Sequence, residues 1–239
     1  MNVSLFSRYM DITEENTAGR SVVVIDVYRT TTVIVTALSN GASDIIPAES
    51  IDEAWKISRG LDDDQVLLAG EREAIPIDGF HLDNSPYSYT EDIVRNKTII
   101  MSTSNGTRAI KVSSRCDTLF IGSFLNIAAV VSELMKRKKD VCIVCSGTMG
   151  AFSLEDGLCA GMILSRMSRL NEIRLSDLGW AMRELVERDI SIREALENGS
   201  LAYRYLQKTN YTRDIDYCLN IDSTKILPIL GPDGRIRRL

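Results

Sequence analysis

Short β-branched and apolar runs alternate with helix-patterned stretches along most of this chain, and that alternation restricts it to a layered α/β fold. Strands are predicted over residues 21–27, 44–47, 66–69, 98–102, 118–121 and 141–145. Helices are predicted over 31–39, 51–59, 90–95, 106–114, 127–138 and 154–169. Ser50-Ile51-Asp52-Glu53 and Ser153-Leu154-Glu155-Asp156 match capping boxes or their acidic variant, and Gly41 and Gly60 suit helix stops. The helix over 31–39 runs against propensity, because Thr30-Thr31-Thr32-Val33-Ile34-Val35-Thr36 is β-branched throughout. From 171 to about 208 the pattern is again helical. Residues 225–230 and 235–238, separated by Gly231-Pro232-Asp233-Gly234, predict a terminal hairpin. The expected fold is a layered α/β/α arrangement around a mixed, largely parallel sheet, with a C-terminal helical segment and a terminal β-hairpin. No Gly/Ser-rich or Pro-rich linker interrupts the chain. Residues 1–239 are therefore expected to form one domain, with 171–239 as an elaboration of it.

Composition narrows the function. Of 239 residues, 44% are hydrophobic and 26% charged, the balance of an ordinary soluble protein. The formal net charge of -5 argues against a nucleic-acid partner. The basic run Lys136-Arg137-Lys138-Lys139 reads as the last turn of a helix. No apolar run has the length of a membrane span, so no membrane partner is expected. The N-terminus lacks a signal-peptide pattern, and five cysteines make an odd number for a disulfide framework, which together point to the reducing cytoplasm. Cys142 and Cys145 form a CxxC inside a predicted strand. Side chains three apart on a strand diverge, so both read as core thiols.

Polar clusters recur where strands end, the place where open α/β sheets bind ligands. They are Asp26-Val27-Tyr28-Arg29-Thr30-Thr31-Thr32, Gly70-Glu71-Arg72, Ser102-Thr103-Ser104-Asn105-Gly106-Thr107-Arg108, Gly122-Ser123-Phe124-Leu125-Asn126, and Ser146-Gly147-Thr148 followed by Ser153-Leu154-Glu155-Asp156. Glycine and hydroxyl residues at a helix start, with an arginine within one turn, make an anion cradle. Interleaved with the cradles are the carboxylates Asp26, Glu71, Glu155 and Asp156. Hard oxygen donors among phosphate-binding groups suggest Mg2+, which takes one or two carboxylates plus water and substrate phosphate. The combination describes a small polyanionic phosphate ester as substrate.

Several phosphatase chemistries are absent. No cysteine is followed six residues later by arginine, the single histidine His81 reads as a loop residue, and no P-loop motif occurs. Asp26-Val27-Tyr28-Arg29-Thr30 begins like the aspartyl-phosphatase motif D-x-D-x-T, but Tyr28 stands where the second acid belongs.

Five of these segments occur together in one family. Ile25-Asp26-Val27-Tyr28-Arg29-Thr30-Thr31-Thr32, Leu68-Ala69-Gly70-Glu71-Arg72, Asn84-Ser85-Pro86, Ser104-Asn105-Gly106-Thr107-Arg108 and Phe152-Ser153-Leu154-Glu155-Asp156 stand in the order seen there, and the chain resembles the 2-phosphosulfolactate phosphatase family over nearly its full length. Asp214-Ile215-Asp216-Tyr217-Cys218 also matches the family's C-terminal pattern. The loop Gly79-Phe80-His81-Leu82-Asp83 departs from it, with His81 in place of an acid and Asp83 in place of glycine. The resemblance implies a Mg2+-dependent phosphomonoester hydrolase of coenzyme M biosynthesis, converting 2-phospho-3-sulfolactate to 3-sulfolactate and phosphate. It further implies a cytoplasmic α/β protein and leaves room for a homodimer.

On this view Asp26, Glu71 and Asp156 supply the metal's carboxylates, with Glu155 next in line. Arg29 and Arg108, aided by backbone N–H groups at Thr31 and Gly106, hold phosphoryl oxygens, and Arg72 takes the carboxylate or sulfonate. Ser104, Asn105, Thr107, Ser123 and Asn126 complete the candidate substrate contacts. The nucleophile is water or Asp26 itself, with the missing second acid favouring water. A non-catalytic organic-phosphate sensor and a phosphotransferase are the alternatives.

Overall fold

Val22-Val23-Val24-Ile25 has no polar face, and the structure buries it on both sides within a sheet. The computed structural model describes residues 1–188 and 191–239; positions 189 and 190, inside the helical run expected over 171–208, lie outside the described residues. The strands are β1 Asn2–Phe6, β2 Ser21–Ile25, β3 Asp44–Pro47, β4 Val66–Arg72, β5 Ile75–Pro76, β6 Thr98–Ser102, β7 Thr118–Gly122, β8 Val141–Cys145, β9 Arg174–Leu175, β10 Pro228–Leu230 and β11 Ile236–Arg238. The helices are α1 Glu14–Thr17, α2 Thr30–Ser39, α3 Ile51–Ser58, α4 Glu91–Val94, α5 Gly106–Val112, α6 Ile127–Arg137, α7 Leu154–Leu170, α8 Asp177–Val186, α9 Ile192–Gly199, α10 Leu201–Gln207 and α11 Thr212–Cys218. Among the described residues no helix is long and apolar enough to cross a membrane.

The strands form one sheet in the order β5-β4-β6-β3-β11-β10-β7-β2-β8-β1-β9. It contains two parallel blocks: β4, β6 and β3, then β7, β2, β8, β1 and β9. The C-terminal hairpin β10–β11 stands between them. Three successive antiparallel pairings lead from β3 through β11 and β10 to β7, so the blocks run in opposite senses.

Alternation along the strands divides the core. Val23, Ile25, Phe120, Ile143 and Cys145 pack against α6, α7 and the C-terminal helices. Val22, Val24, Leu119, Ile121, Cys142 and Val144 pack against α2 and α5 on the other face. The two CxxC thiols therefore diverge, as the strand reading requires, and all five cysteines are free. The basic run closes α6: Lys136 and Arg137 pair with Glu133, and Lys139 with Asp117.

Helix α2 forms despite its threonines because every residue from Thr30 to Leu38 is buried. Tertiary burial outweighs a propensity deficit of a few tenths of a kcal/mol per residue. Its hydroxyls are satisfied locally, with Thr32 Oγ1 donating to Val27 O at 2.9 Å and Thr36 Oγ1 to Thr32 O at 2.8 Å. The structure differs from expectation elsewhere. The strand expected over 21–27 stops at Ile25, β1, β5 and β9 were not foreseen, and β9 interrupts the start of the helical run expected from 171.

Ile236 of β11 is fully buried and pairs with Ile45 of β3. Ile236→Ala should lower unfolding free energy by about 2–4 kcal/mol in urea titrations. Leu239→Ala, at a residue 61% exposed, should leave it nearly unchanged. Equal effects would contradict the hairpin's central place.

Candidate active site

The end of β2 is built by one threonine. Thr31 N–H and Thr31 Oγ1 donate to Asp26 O at 3.0 and 2.8 Å, and Asp26 N–H donates to Thr31 Oγ1 at 2.9 Å. This knot stops the strand and directs the Asp26 side chain into the turn before α2, where Thr30 N–H donates to Asp26 Oδ1 at 3.3 Å. The Thr31 amide is thus occupied within the chain and unavailable as the phosphoryl donor expected of it.

The loop after β6 closes onto this turn. Thr30 Oγ1 donates to Thr103 Oγ1 at 3.1 Å, and Thr103 and Thr107 exchange bonds that shape the start of α5. A Cβ on Gly106 would stand 2.4 Å from Thr30 Cβ and 2.5 Å from Asp26 Oδ2, so only glycine permits the approach. The carboxyl ends of both sheet blocks thereby deliver their loops to one place.

Four acids buried at or near strand ends are the candidate ligands. Burial holds the Asp26 carboxyl up at about 6, with the hydrogen bond from Thr30 pulling it down and the Glu71 charge pushing it up. Burial, then the charges of Glu155 and Asp26, raise Asp156 well above the usual carboxylate range. Asp156 Oδ1 accepts from Val27 N–H at 2.8 Å, and its Oδ2 from Ser146 Oγ and Gly147 N–H, each at 3.2 Å. Glu71 Oε1 accepts from Ser104 N–H at 2.8 Å, and its Oε2 from Ala74 N–H at 2.7 Å and Ser104 Oγ at 3.1 Å. Gly70, at φ +143, makes that reach possible, since a Cβ there would lie 1.9 Å from Ser102 O. Glu155 is raised by burial and accepts from Ser200 Oγ at 2.7 Å, beside a cavity of about 210 Å3 lined by Phe152 and Leu201. Among the described residues no three His, Cys, Asp or Glu side chains are grouped to ligate one ion unaided. Asp26 accepts one backbone bond, from Thr30, with the hydroxyls of Thr30 and Ser146 also lowering its pKa.

The three candidate arginines fall into two situations. Arg29 is buried: its Nη1 donates to Asp214 Oδ2 at 2.6 Å, and its guanidinium lies 4.0 Å from the centre of the Tyr211 ring. Arg72 donates to Glu71 O and Ser102 Oγ, both at 2.7 Å. Burial lowers its pKa, Glu71 opposes the shift, and neighbouring Arg108 lowers it further. Arg108 is exposed on the first turn of α5. Two adjacent cations with an open side face the solvent, a setting that favours an anionic ligand.

Other expected residues serve the scaffold. Ser123 and Asn126 are fully buried in a capping box, and Asn126 Nδ2 donates to Ile121 O and Ile226 O at 3.1 and 3.0 Å. Ser104 braces Glu71, and Asn105 precedes α5, its carbonyl accepting from Ala109 N–H at 2.9 Å. His81 Nδ1 accepts from Leu68 N–H at 2.9 Å, a loop role as anticipated. Asp214, Ser85 and Tyr211 had no assigned role, although Asp214 and Ser85 lie in recognised motifs. Asp214 and Tyr211 meet Arg29, and Ser85 meets Asp214, across segments too distant in sequence for spacing to reveal.

A family model described as 2-phosphosulpholactate phosphatase matches residues 7–232. A protein named "Probable 2-phosphosulfolactate phosphatase" from Caldanaerobacter subterraneus subsp. tengcongensis is 39% identical over 231 residues, covering 96% of this chain and 95% of that protein. One of the same name from Symbiobacterium thermophilum is 43% identical over 217 residues, covering 90% and 93%. Another, from Clostridium beijerinckii, is 35% identical over 237 residues, covering 99% of each.

Asp26 carries a measurable signature. Its folded value of about 6 lies above the ordinary 3.8, so between these values the folded chain keeps a proton that the unfolded chain releases. Its contribution to stability is present below the lower value and lost as pH rises through the upper one. In chelator, Asp26→Asn should match the unmodified chain near pH 4 and exceed it at pH 7 by on the order of 1–3 kcal/mol. Denaturant titrations at the two pH values measure this.

Proposed function

The chain belongs to the 2-phosphosulpholactate phosphatase family, and on that premise we propose that it hydrolyses 2-phospho-3-sulfolactate to 3-sulfolactate and inorganic phosphate. It is a phosphoric monoester hydrolase. The observation that carries the site assignment is the contact of the β2 and β6 loops, which sets the Asp26 carboxylate against Gly106, with Arg29 and Arg108 close by in sequence on either side. The substrate carries phosphate, carboxylate and sulfonate, and the arginines offer matching charge. Coenzyme M biosynthesis is the setting proposed for the reaction. The cytoplasm is the compartment proposed, in keeping with five unpaired thiols.

Mg2+ is the proposed cofactor. The residues fit such an ion: Asp26 is a hard oxygen donor, and burial with a like-charged neighbour holds its carboxyl up in a way an adjoining cation would relieve. Asp26 and Asp156 would hold it, with Glu71 and Glu155 behind them, and two carboxylates suffice for Mg2+. When bound, the ion neutralises phosphoryl charge and orients water. Arg29 and Arg108 bind phosphoryl oxygens, and Arg72 binds the carboxylate or sulfonate. Water attacks phosphorus and gives up a proton; the new P–O bond forms as the ester P–O bond breaks, and the departing sulfolactate oxygen takes up that proton. Water is preferred to Asp26 as nucleophile because Tyr28 occupies the position of the second acid in the aspartyl-phosphatase motif.

Phosphate release from 2-phosphosulfolactate, phospholactate and phosphoglycolate should require Mg2+ and stop in EDTA. Asp26→Asn should reduce turnover by about 1000-fold or more. Near-normal turnover would remove Asp26 from the site, and a base-labile phosphoryl group trapped on it would replace water as the nucleophile. Binding without release would indicate a sensor, and capture of the phosphoryl group by an added hydroxy acid a phosphotransferase. Arg72→Ala should raise KM for 2-phosphosulfolactate about 10–100-fold, the worth of a charged hydrogen bond, with a smaller effect on ethyl phosphate.

A further inference from the structure

Arg29 is the only one of the three site arginines sealed from water, at 2% exposed, and a buried guanidinium needs a reason for its orientation. Its Nη1 meets Asp214 Oδ2 at 2.6 Å, and Asp214, from α11, is itself fully buried. The other carboxylate oxygen, Oδ1, accepts from Ser85 Oγ at 2.7 Å, so both oxygens are held. Ser85 is anchored in turn, its N–H donating to Asp83 Oδ1 at 2.9 Å, while Ser88 Oγ donates to the same oxygen at 2.6 Å. Tyr211 covers one face of the guanidinium. One Nη1 and one face are thus held by segments far from Arg29 in sequence. A guanidinium is a rigid planar fork of five N–H donors, so holding one nitrogen and one face restricts the direction of the others.

We propose that Asp214, braced by Ser85, is a positioning residue: it orients the Arg29 guanidinium toward the phosphoryl group. This rests on the phosphatase reading above. Asp214 touches no reacting atom and acts through Arg29, and its charge partly offsets that of the arginine. Removing it should leave phosphate binding intact or tighter while spoiling the geometry needed as the P–O bond breaks.

The test is a double-mutant cycle of Asp214→Asn and Arg29→Gln, assayed with Mg2+ on 2-phosphosulfolactate, with inorganic phosphate as inhibitor. Asp214→Asn should lower kcat about 10–100-fold with an unchanged or lower phosphate inhibition constant. In the Arg29→Gln background it should cost less than about threefold further, because its partner is already gone. A purely structural role would reduce kcat by the same factor in both backgrounds, and that result overturns the proposal, as does kcat within about threefold of the unmodified chain in the single variant. If Asp214→Asn does not fold, Ser85→Ala removes only the brace. Its expected loss of about 3–10-fold must vanish in the Arg29→Gln background, and persistence there overturns the proposal. No phosphate release by the unmodified chain overturns the phosphatase reading and this role together. Normal release with an indifferent Asp214 overturns this role alone.

Discussion

Charge held out of water organises this molecule. Asp26, Glu71, Glu155, Asp156, Asp214 and Arg29 each keep 7% or less of their surface, and an isolated buried ion costs several kcal/mol. The loops take their shapes from the donors those groups demand. Val27 and Gly147 turn their amides to Asp156, Ser104 and Ala74 turn theirs to Glu71, and Ser200 reaches Glu155. Asp26 takes a long bond from Thr30 N–H at 3.3 Å, with the hydroxyls of Thr30 and Ser146 beside it.

The alternation of strand and helix was legible because it is local: the Val22–Ile25 run, the cap at Ser50 and the glycine at 60 each declare themselves within a few residues. Even α2 could be placed in spite of its threonines. Two-residue strands such as β5 and β9 were not legible, since they exist only through their neighbours. Sheet order was hidden for the same reason; nothing within residues 225–238 says that they lie between β3 and β7. At the site, strand-end polarity picked out Asp26, Glu71, Gly106 and Asp156, whose contacts the structure records. The same rule picked out Ser123 and Asn126, because a polar pair that closes a cap looks identical in sequence to one that meets a ligand.

The C-terminal third, which reads in sequence as an elaboration, is tied to the candidate site residues by two buried contacts, Ser200 to Glu155 and Asp214 to Arg29, and to the scaffold by Asn126 donating to Ile226 O. A change at the start of α10 or in α11 therefore reaches Glu155 or Arg29 directly.

The hairpin between the two sheet blocks has a bearing on synthesis. Strands β3 and β7 are complete long before residues 228–238 leave the ribosome, and each waits with an unpaired edge. Such edges recruit any extended segment nearby. The nascent chain therefore passes through a stage in which its own blocks could zip to each other, or to those of a second nascent copy, and only the late arrival of β10 and β11 withdraws that choice.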